Sequence, residues 1–257
     1  MSTPVLEGSL SEGQIVPTRR ERARAATTAE IVDVARRLLV EQGPDAVALR
    51  AIARELGMTA PALYRYYASR DDLVTHVIAG LYDEVSVALE EARDRVAGDN
   101  PLGRLLAVAR RFRTWALEHP REFGLLFGSP IPGADRPSRG EAGGSGAAHP
   151  AGATDRAGER FAGVFAALFV ELYHRQPFVV PSDDEIPRGL RRQLARWRAA
   201  FPGPLPLGAL QVFLTGWMRL YGSVCMEVFG HLRFALEDAE PMFEHELASV
   251  TDLLTAR

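Results

Sequence analysis

The segment that decides the fold lies at residues 45–73 and reads DAVALRAIARELGMTAPALYRYYASRDDL. Its apolar residues recur at helical spacing on both sides of Gly57, which can adopt the left-handed conformation that ends a helix. Thr59 is placed to cap a second short helix, and Pro61 is tolerated in the first turn of that helix. The segment thus contains two short helices joined by a tight turn, and the second helix is crowded with Tyr and Arg. This pattern predicts a helix-turn-helix that enters the major groove of DNA. The alternative is a three-helix corner with ordinary surface Tyr and Arg side chains.

Helical patterns continue on both sides of this segment. We expect the preceding helix to begin at Thr27 or Thr28, because Thr27 and Glu30 form a capping-box pattern. Ser69 caps a long helix that runs to about residue 96. Further helices are predicted at about 101–118, 121–127, 159–175, 187–200, 206–230 and 238–255. Because no convincing strand-type alternation occurs, the sequence predicts an all-α fold.

Two stretches lack helical periodicity. Residues 1–24 are expected to form a disordered N-terminal tail that ends in a basic arm with arginine at 19, 20, 22 and 24. This arm is either simply solvated or reaches DNA beside the helix-turn-helix. Residues 128–158 are rich in Gly, Ala, Pro and Ser and predict a flexible loop. The predicted organisation is therefore a DNA-binding domain at 25–72 and a larger helical domain at 73–257.

Charge separates these two domains. Residues 19–70 contain ten Arg and six acidic residues, a balance of +4, whereas the whole chain has a formal charge of −3. The rest of the chain is therefore at −7 by difference, so that a basic head is attached to an acidic body.

The composition argues against several other classes of protein. The longest apolar run, at 209–228, is interrupted by Arg219 and Glu227, so no transmembrane span is expected. No secretory signal is recognised, and the single Cys225 suits a reducing cytoplasm, where we expect the protein. The six His show no metal-ligand spacing, and no catalytic motif is present. We therefore predict no catalytic residues, no metal, no cofactor and no enzymatic activity.

Residues 27–75 resemble the DNA-binding domain of the TetR (tetracycline-repressor-like) family. The matching pattern is LRxIA at 49–53, LGMT at 56–59, PALYxYY at 61–67 and SRDDL at 69–73. The resemblance implies that Arg50 reaches a base edge or a nearby phosphate, that small residues at 59–62 face bases, and that phosphates are bound on either side. The implied DNA-binding residues are Arg50, Thr59, Ala60, Pro61, Ala62, Tyr64, Arg65, Tyr66 and Arg70.

Three positions depart from the family pattern. Ala48 stands where a Thr or Ser cap is usual, and Tyr66 replaces a frequent His. Tyr67 replaces the usual Phe, and we expect it to pack rather than to contact DNA.

The resemblance implies that the body carries a ligand pocket and dimerises through its last two helices. A Trp217-x3-Tyr221-Gly222 motif is similar to one C-terminal class of the family that has Trp-x3-His-Gly. The aromatic pocket candidates are Phe112, Trp115, Phe123, Phe127, Phe165, Phe169, Tyr173, Trp217 and Tyr221, each of which could instead belong to the core. Two apolar stripes, from Leu210 to Val228 and from Phe243 to Leu254, suit either a four-helix dimer interface or the core of one chain.

These observations predict a ligand-responsive transcriptional regulator. It would bind a palindromic double-stranded DNA operator as a homodimeric repressor, and a small hydrophobic or aromatic effector would release it. The alternative is a small-molecule sensor or carrier that binds no operator.

Overall fold

The computed structural model describes residues 18–128 and 153–256, and within these two stretches every regular element is helical. This confirms the predicted all-α fold. The helices are α1 (Arg19–Gln42), α2 (Leu49–Glu55), α3 (Ala60–Tyr64), α4 (Arg70–Asp94), α5 (Pro101–Glu118), α6 (Pro120–Phe123), α7 (Ala153–Arg175), α8 (Arg188–Trp197), α9 (Leu207–Val228) and α10 (Glu240–Thr255). A π-helical turn at Gly124–Gly128 follows α6, and short 3-10 turns occupy Pro44–Ala46 and Arg198–Ala200.

The start of α1 corrects the prediction for the basic arm. The helix begins at Arg19 rather than at Thr27 or Thr28, because Thr18 and Glu21 form the capping box that is used. The hydroxyl of Thr27 instead donates to the carbonyl of Ala23, one turn earlier within the helix. Residues 19–24 are therefore the first turns of α1 and not a disordered arm, whereas the predicted tail at 1–17 lies outside the described residues.

The predicted loop at 128–158 is corrected at both ends. Gly128 closes the π-helical turn, and residues 153–158 already belong to α7. Thr154 is 1% exposed, and its hydroxyl donates to the carbonyl of Thr75. Tertiary burial thus extends α7 into a stretch whose composition favours a loop, and residues 129–152 lie outside the described residues.

The long helix α4 joins the head, formed by α1 to α3, to the body. Its first half packs with the head in one continuous core, in which Ile31, Leu63 and Leu73 are each fully buried. Its remaining length packs against α5 and α7. A second apolar cluster, which includes Leu194 and Leu210, contains no residue of α4 but packs with Leu102 at the start of α5, the helix that follows α4. The body therefore has an end at the head and an end far from it.

None of the described helices is long and apolar enough to span a membrane.

Candidate nucleic-acid interface and apolar cleft

The turn between α2 and α3 fixes the position of the second helix. Gly57 adopts a φ of 63°, which L-residues with a side chain rarely occupy. The amide of Met58 then donates to the carbonyl of Ala53 at 2.8 Å. The hydroxyl of Thr59 caps α3 by accepting from the amide of Ala62 at 3.3 Å, and Leu63 anchors α3 with no exposed surface. Local sequence therefore builds the predicted helix-turn-helix.

The N-terminal edge of α3 presents only small side chains. Thr59 and Pro61 are exposed, while Ala60 and Ala62 are half-buried. An edge of methyl and methylene groups suits apolar contact with thymine methyl groups, but it offers little hydrogen bonding to base edges beyond the Thr59 hydroxyl.

The polar residues that the sequence predicts to bind DNA lie around this edge of α3. Arg50 is the second residue of α2, Arg65 follows the last turn of α3, and both are exposed. Tyr64 is 48% exposed, so about half of its surface faces solvent. Within the described residues, these three side chains have no hydrogen-bond or ion-pair partner. Their donors are therefore available to an external acceptor.

The extended start of α1 meets the end of α3. The guanidinium carbon of Arg24 lies 5.2 Å from the centre of the Tyr66 ring, which is a cation–π distance. The sequence does not predict this contact, because residue 24 falls within the expected disordered arm. The capping-box pattern at Thr18 and Glu21 was the signal that could have revealed it.

Arg70 is held by the protein itself. Its Nε donates to the carbonyl of Val47 at 3.2 Å, and its guanidinium lies 3.2 Å from Asp71 and 3.8 Å from Asp45. The side chain thereby ties the start of α4 to the connection between α1 and α2. The structure does not group Arg70 with the unpartnered side chains of α2 and α3.

The departures from the family pattern have visible consequences. Ala48 gives α2 no side-chain cap, as the sequence predicted. Tyr67 is 5% exposed and packs edge-on to His76 at 5.6 Å, which agrees with the expected packing role. Burial, with a smaller contribution from the nearby Asp72 carboxylate, raises the pKa of Tyr67.

In the body, an apolar cleft opens between α5, α7, α9 and α10. It encloses about 660 Å³ including the space open at its mouth. Three of the nine aromatic candidates line it, namely Phe165, Phe169 and Trp217. Phe213 and Phe243 also line it, although the sequence assigned both to the two apolar stripes. The contribution of α10 depends on how this helix packs on α9 and meets α5 through Arg110 and Glu244, which no local pattern reveals.

The other six candidates do not line this cleft. Phe112, Trp115 and Phe123 are at most 1% exposed and form part of the core. Phe127 and Tyr221 belong to an aromatic cluster beside the cleft, in which Trp217 stacks on Tyr221 at 5.9 Å. The sixth candidate, Tyr173, packs against Phe178 at 5.2 Å near the far end of the body.

Two tyrosines hold the π-helical turn that adjoins this cluster. The hydroxyl of Tyr221 donates to the carbonyl of Phe127 at 2.6 Å, and that of Tyr82 donates to the carbonyl of Leu126 at 3.3 Å. Just before the turn, Glu122 of α6 lies 3.2 Å from Arg36 of α1. A continuous set of contacts therefore runs from Trp217 in the cleft to the head.

The two apolar stripes are only partly covered within one chain, since members such as Phe213, Trp217 and Val250 are half-buried. Leu210, Val224, Phe243, Leu247 and Leu254 are all buried within one chain. The exposed apolar side chains of these helices are different ones: Met218 is 64% exposed, Met226 40%, Met242 41% and Leu253 37%.

Other kinds of site find little support in the described residues. No three His, Cys, Asp or Glu side chains come together there as a metal site. Burial raises the pKa of Cys225, which keeps this thiol in its less reactive protonated form.

Two family comparisons cover the head and the body separately. Residues 31–77 match the family described as bacterial regulatory proteins of the tetR family. Residues 105–250 match the tetracyclin repressor-like C-terminal domain.

Curated relatives and solved structures agree with these matches. The chain is 32% identical, over 212 residues, to HTH-type transcriptional regulators of Mycobacterium bovis and Mycobacterium tuberculosis, covering 82% of this chain and 85% of each relative. A regulatory protein of known crystal structure is 28% identical with a TM-score of 0.64, covering 91% of this chain and 98% of that one. A tetR-family regulator from Shewanella sp. PV-4, 16% identical with a TM-score of 0.51 and covering 88% and 95% of the two chains, shares the fold.

Proposed function

Because the chain belongs to the TetR family of bacterial regulators and is a DNA-binding transcriptional regulator, we propose that it acts as a homodimeric repressor. It binds a palindromic operator and is released by a small apolar effector. The observation that carries this proposal is the group of exposed, unpartnered polar side chains around the small-residue edge of α3. The proposal assigns the protein no catalytic activity.

In this proposal, phosphate contacts supply affinity and a few base contacts supply specificity. Tyr64, Arg65 and Tyr66 bind backbone phosphates, and the small residues at 59–62 face the bases. Arg50 reaches a guanine edge or an adjacent phosphate. Arg70, which is held by its own chain, contributes by fixing the start of α4 and contacts a phosphate only from that fixed position.

The effector binds in the apolar cleft. Because the lining is almost entirely aliphatic and aromatic, with Glu246 as the one carboxylate among its residues, an uncharged aromatic or hydrophobic molecule suits it. Occupancy shifts Trp217 and Tyr221, and hence the π-helical turn that Tyr221 holds. The link from Glu122 to Arg36 then carries this change to the head. Such coupling requires that the effector prefers the state in which the two heads no longer fit the operator.

The homodimer forms through the outer faces of α9 and α10. Met242 and Leu253 are eleven residues apart, which places them on one face of α10 after about three turns. With Met218 and Met226 of α9 they supply apolar surface that the chain itself leaves uncovered.

The test begins with selection of bound DNA from a random duplex library, followed by affinity measurements at fixed salt. Removing one good base contact weakens specific binding by about 1–3 kcal/mol, and loss of the Tyr64 hydroxyl removes a phosphate contact as well. We therefore expect Arg50→Gln with Tyr64→Phe to weaken binding to the selected site by about 1–3 kcal/mol or more. Arg54→Gln, an exposed change one turn further along α2, is the matched control and should bind nearly as well as the wild type.

Two results would contradict the proposal. Unchanged operator affinity in the Arg50 and Tyr64 variant would remove these residues from the interface. Failure of the wild type to enrich any duplex, together with tight binding of an apolar ligand, would favour the alternative of a sensor or carrier without operator binding.

A further inference from the structure

Helix α8 buries one face and exposes an opposite face made of arginine. Leu194 is 2% exposed, and it packs with Trp197 in the second apolar cluster. Arg188, Arg192 and Arg196 recur every four residues on the other side of the helix and are all exposed. We refer to these three residues as the arginine stripe.

The arginine stripe is not used by the fold. Several other arginines of the body are held by carboxylates, as Arg104 is by Glu171 at 3.0 Å and Arg160 by Glu90 at 2.7 Å. The stripe has no ion pair or hydrogen bond within the described residues. Like charges one helical turn apart repel each other, and Arg188 also lies at the positive N-terminal end of the helix. The stripe therefore disfavours α8, and an anionic ligand would offset this repulsion.

The acidic residues that precede α8 do not neutralise the stripe. Arg191 donates to the carbonyl of Asp183 at 2.9 Å and lies 3.4 Å from the carboxylate of Asp184. Arg191 lies about 100° around the helix from Arg192. The pairing therefore occupies the neighbouring side of α8 and leaves the stripe facing solvent.

The stripe lies at the end of the body that is far from the head. Helix α4 starts in the head and has 25 residues, which corresponds to a length of about 37 Å. Beyond its C-terminal end, Leu102 of α5 packs on the same cluster as Leu194 of α8. A duplex segment held by the head therefore cannot also lie against the stripe.

We propose that the arginine stripe binds the phosphate backbone of a second DNA duplex without reading its sequence. Successive stripe residues rise about 6 Å along the helix axis. Because each DNA strand carries one phosphate about every 3.4 Å along its axis, each guanidinium can reach a separate phosphate. Protein–DNA interfaces are polar and strongly positive. Protein–protein interfaces also use arginine, but they are centred on buried aromatic or methionine anchors. The face around the stripe contains Gly189, Gln193 and Ala195 and offers no such anchor.

Two other polyanionic partners fit this surface less well. An amphipathic helix that binds a membrane needs a free apolar face, and that face of α8 is buried. Single-stranded nucleic acid is held by stacking on aromatic rings, but Trp197 packs against Phe201 at 5.0 Å on the opposite side.

The inference goes beyond the proposed repressor, because it gives the same molecule a second and independent DNA contact. A homodimer whose heads hold one duplex would carry its stripes at the far ends of its two bodies. It could then hold a second segment of DNA and bridge the two.

The test uses the full-length protein saturated with an unlabelled duplex that carries the selected operator. A fluorescent duplex of unrelated sequence is then added, and its binding is followed by anisotropy. We expect Arg188→Gln/Arg192→Gln/Arg196→Gln to weaken second-duplex binding about tenfold or more. For three phosphate contacts, raising the salt from about 50 to about 200 mM should weaken wild-type binding roughly 40-fold. The corresponding triple Lys variant, which keeps the charge, should retain binding.

Control variants separate this contact from the head and from general charge. Arg95→Gln/Arg121→Gln/Arg233→Gln removes three exposed arginines elsewhere in the body and should leave second-duplex binding unchanged. The thermal unfolding midpoint reports whether the stripe variant is folded. Retention of the operator duplex reports whether its head still binds DNA. Loss of operator retention in the wild type would count against the proposed repressor and not against the stripe.

The inference is overturned if the wild type binds no second duplex, or if the Gln variant binds it as well as the wild type does. It is also overturned if the stripe instead binds poly-glutamate or vesicles containing phosphatidylglycerol in preference to duplex DNA.

Discussion

At the scale of single residues, one nearly buried ion pair fixes α5 to the end of α9. Arg113 donates to both carboxylate oxygens of Glu227 at 2.7 Å, and the two side chains are 12% and 13% exposed. Hydrogen bonding to Glu227 raises the pKa of Arg113, so the guanidinium stays charged at all accessible pH values. The pair therefore holds the helix that carries Trp217 and Tyr221 in a fixed position against α5.

We predict that Arg113→Gln lowers the free energy of unfolding by about 2–4 kcal/mol, because it leaves the Glu227 carboxylate buried without its partner. Urea denaturation measures the change. The double variant Arg113→Gln/Glu227→Gln should lose less free energy of unfolding than the two single variants lose in sum. Additive losses would mean that the two residues do not stabilise the fold as a pair.

The more exposed pair of Arg110 and Glu244 serves as the comparison and gives a pH prediction. Hydrogen bonds from Arg110 lower the pKa of the Glu244 carboxyl. Because the folded pKa lies below the unfolded value of about 4.3, the stabilisation is complete above that pH and is lost as the pH falls through the folded pKa. Arg110→Gln should therefore destabilise the protein less than Arg113→Gln does at pH 7. The difference in free energy of unfolding between Arg110→Gln and the wild type should shrink towards pH 3. A difference that grows on acidification would contradict this.

At the scale of elements, the first turns of α1 extend the head towards the recognition helix. The amide of Thr18 donates to the Glu21 carboxylate at 2.6 Å, and the Thr18 hydroxyl accepts from the amide of Glu21. Hydrogen bonding from the Thr18 amide, with a smaller contribution from the Thr18 side chain, lowers the pKa of the Glu21 carboxyl. These bonds hold residues 19–24 helical and place Arg24 against Tyr66.

We predict that Thr18→Ala with Glu21→Ala frays the start of α1 and weakens DNA binding while the core stays folded. Amide hydrogen exchange at residues 22–26 should accelerate, because these amides lose helical protection. The matched control is Thr28→Ala, whose hydroxyl bonds only within the helix, to the Arg24 carbonyl. Normal DNA affinity with a frayed start would show that the position of Arg24 is unimportant for binding.

Elements differ in how far the sequence predicted them. The starts of α3 and α4 were predicted correctly because Thr59 and Ser69 cap them through bonds to amides only three residues away. The start of α7 was placed too late, because the buried Thr154 is held by Thr75 on another helix. The chain contains two capping-box patterns near the start of α1: the pattern at Thr27 predicts a later start, while the folded chain uses the pattern at Thr18.

At the scale of the whole molecule, the exposed methionines of α9 and α10 suggest where two copies meet. Met218 is 64% exposed although it lies in the most apolar of the long helices. Because a carboxylate buried in an apolar interface is strongly disfavoured, we predict that Met218→Glu shifts the protein towards monomer. Analytical ultracentrifugation over a concentration series measures this shift.

The control for this prediction is Val87→Glu, which changes an exposed valine on α4, away from α9 and α10, and should leave the oligomeric state unchanged. Equal behaviour of the two variants would count against an interface on α9. Because a palindromic operator requires two heads, a monomeric Met218→Glu variant should also lose operator affinity.

The sequence alone determined the helix-turn-helix, the all-α class and the order of most helices. These depend on caps, turns and apolar spacing within three to eight residues along the chain, where side chains interact whatever the rest of the protein does. Only the tertiary structure decided that Phe243 lines a cleft, that Arg70 is held by Val47, and that the apolar stripes of α9 and α10 are partly covered within one chain. Each of these results depends on partners distant in sequence, and an amphipathic helix does not specify which partner covers its apolar face.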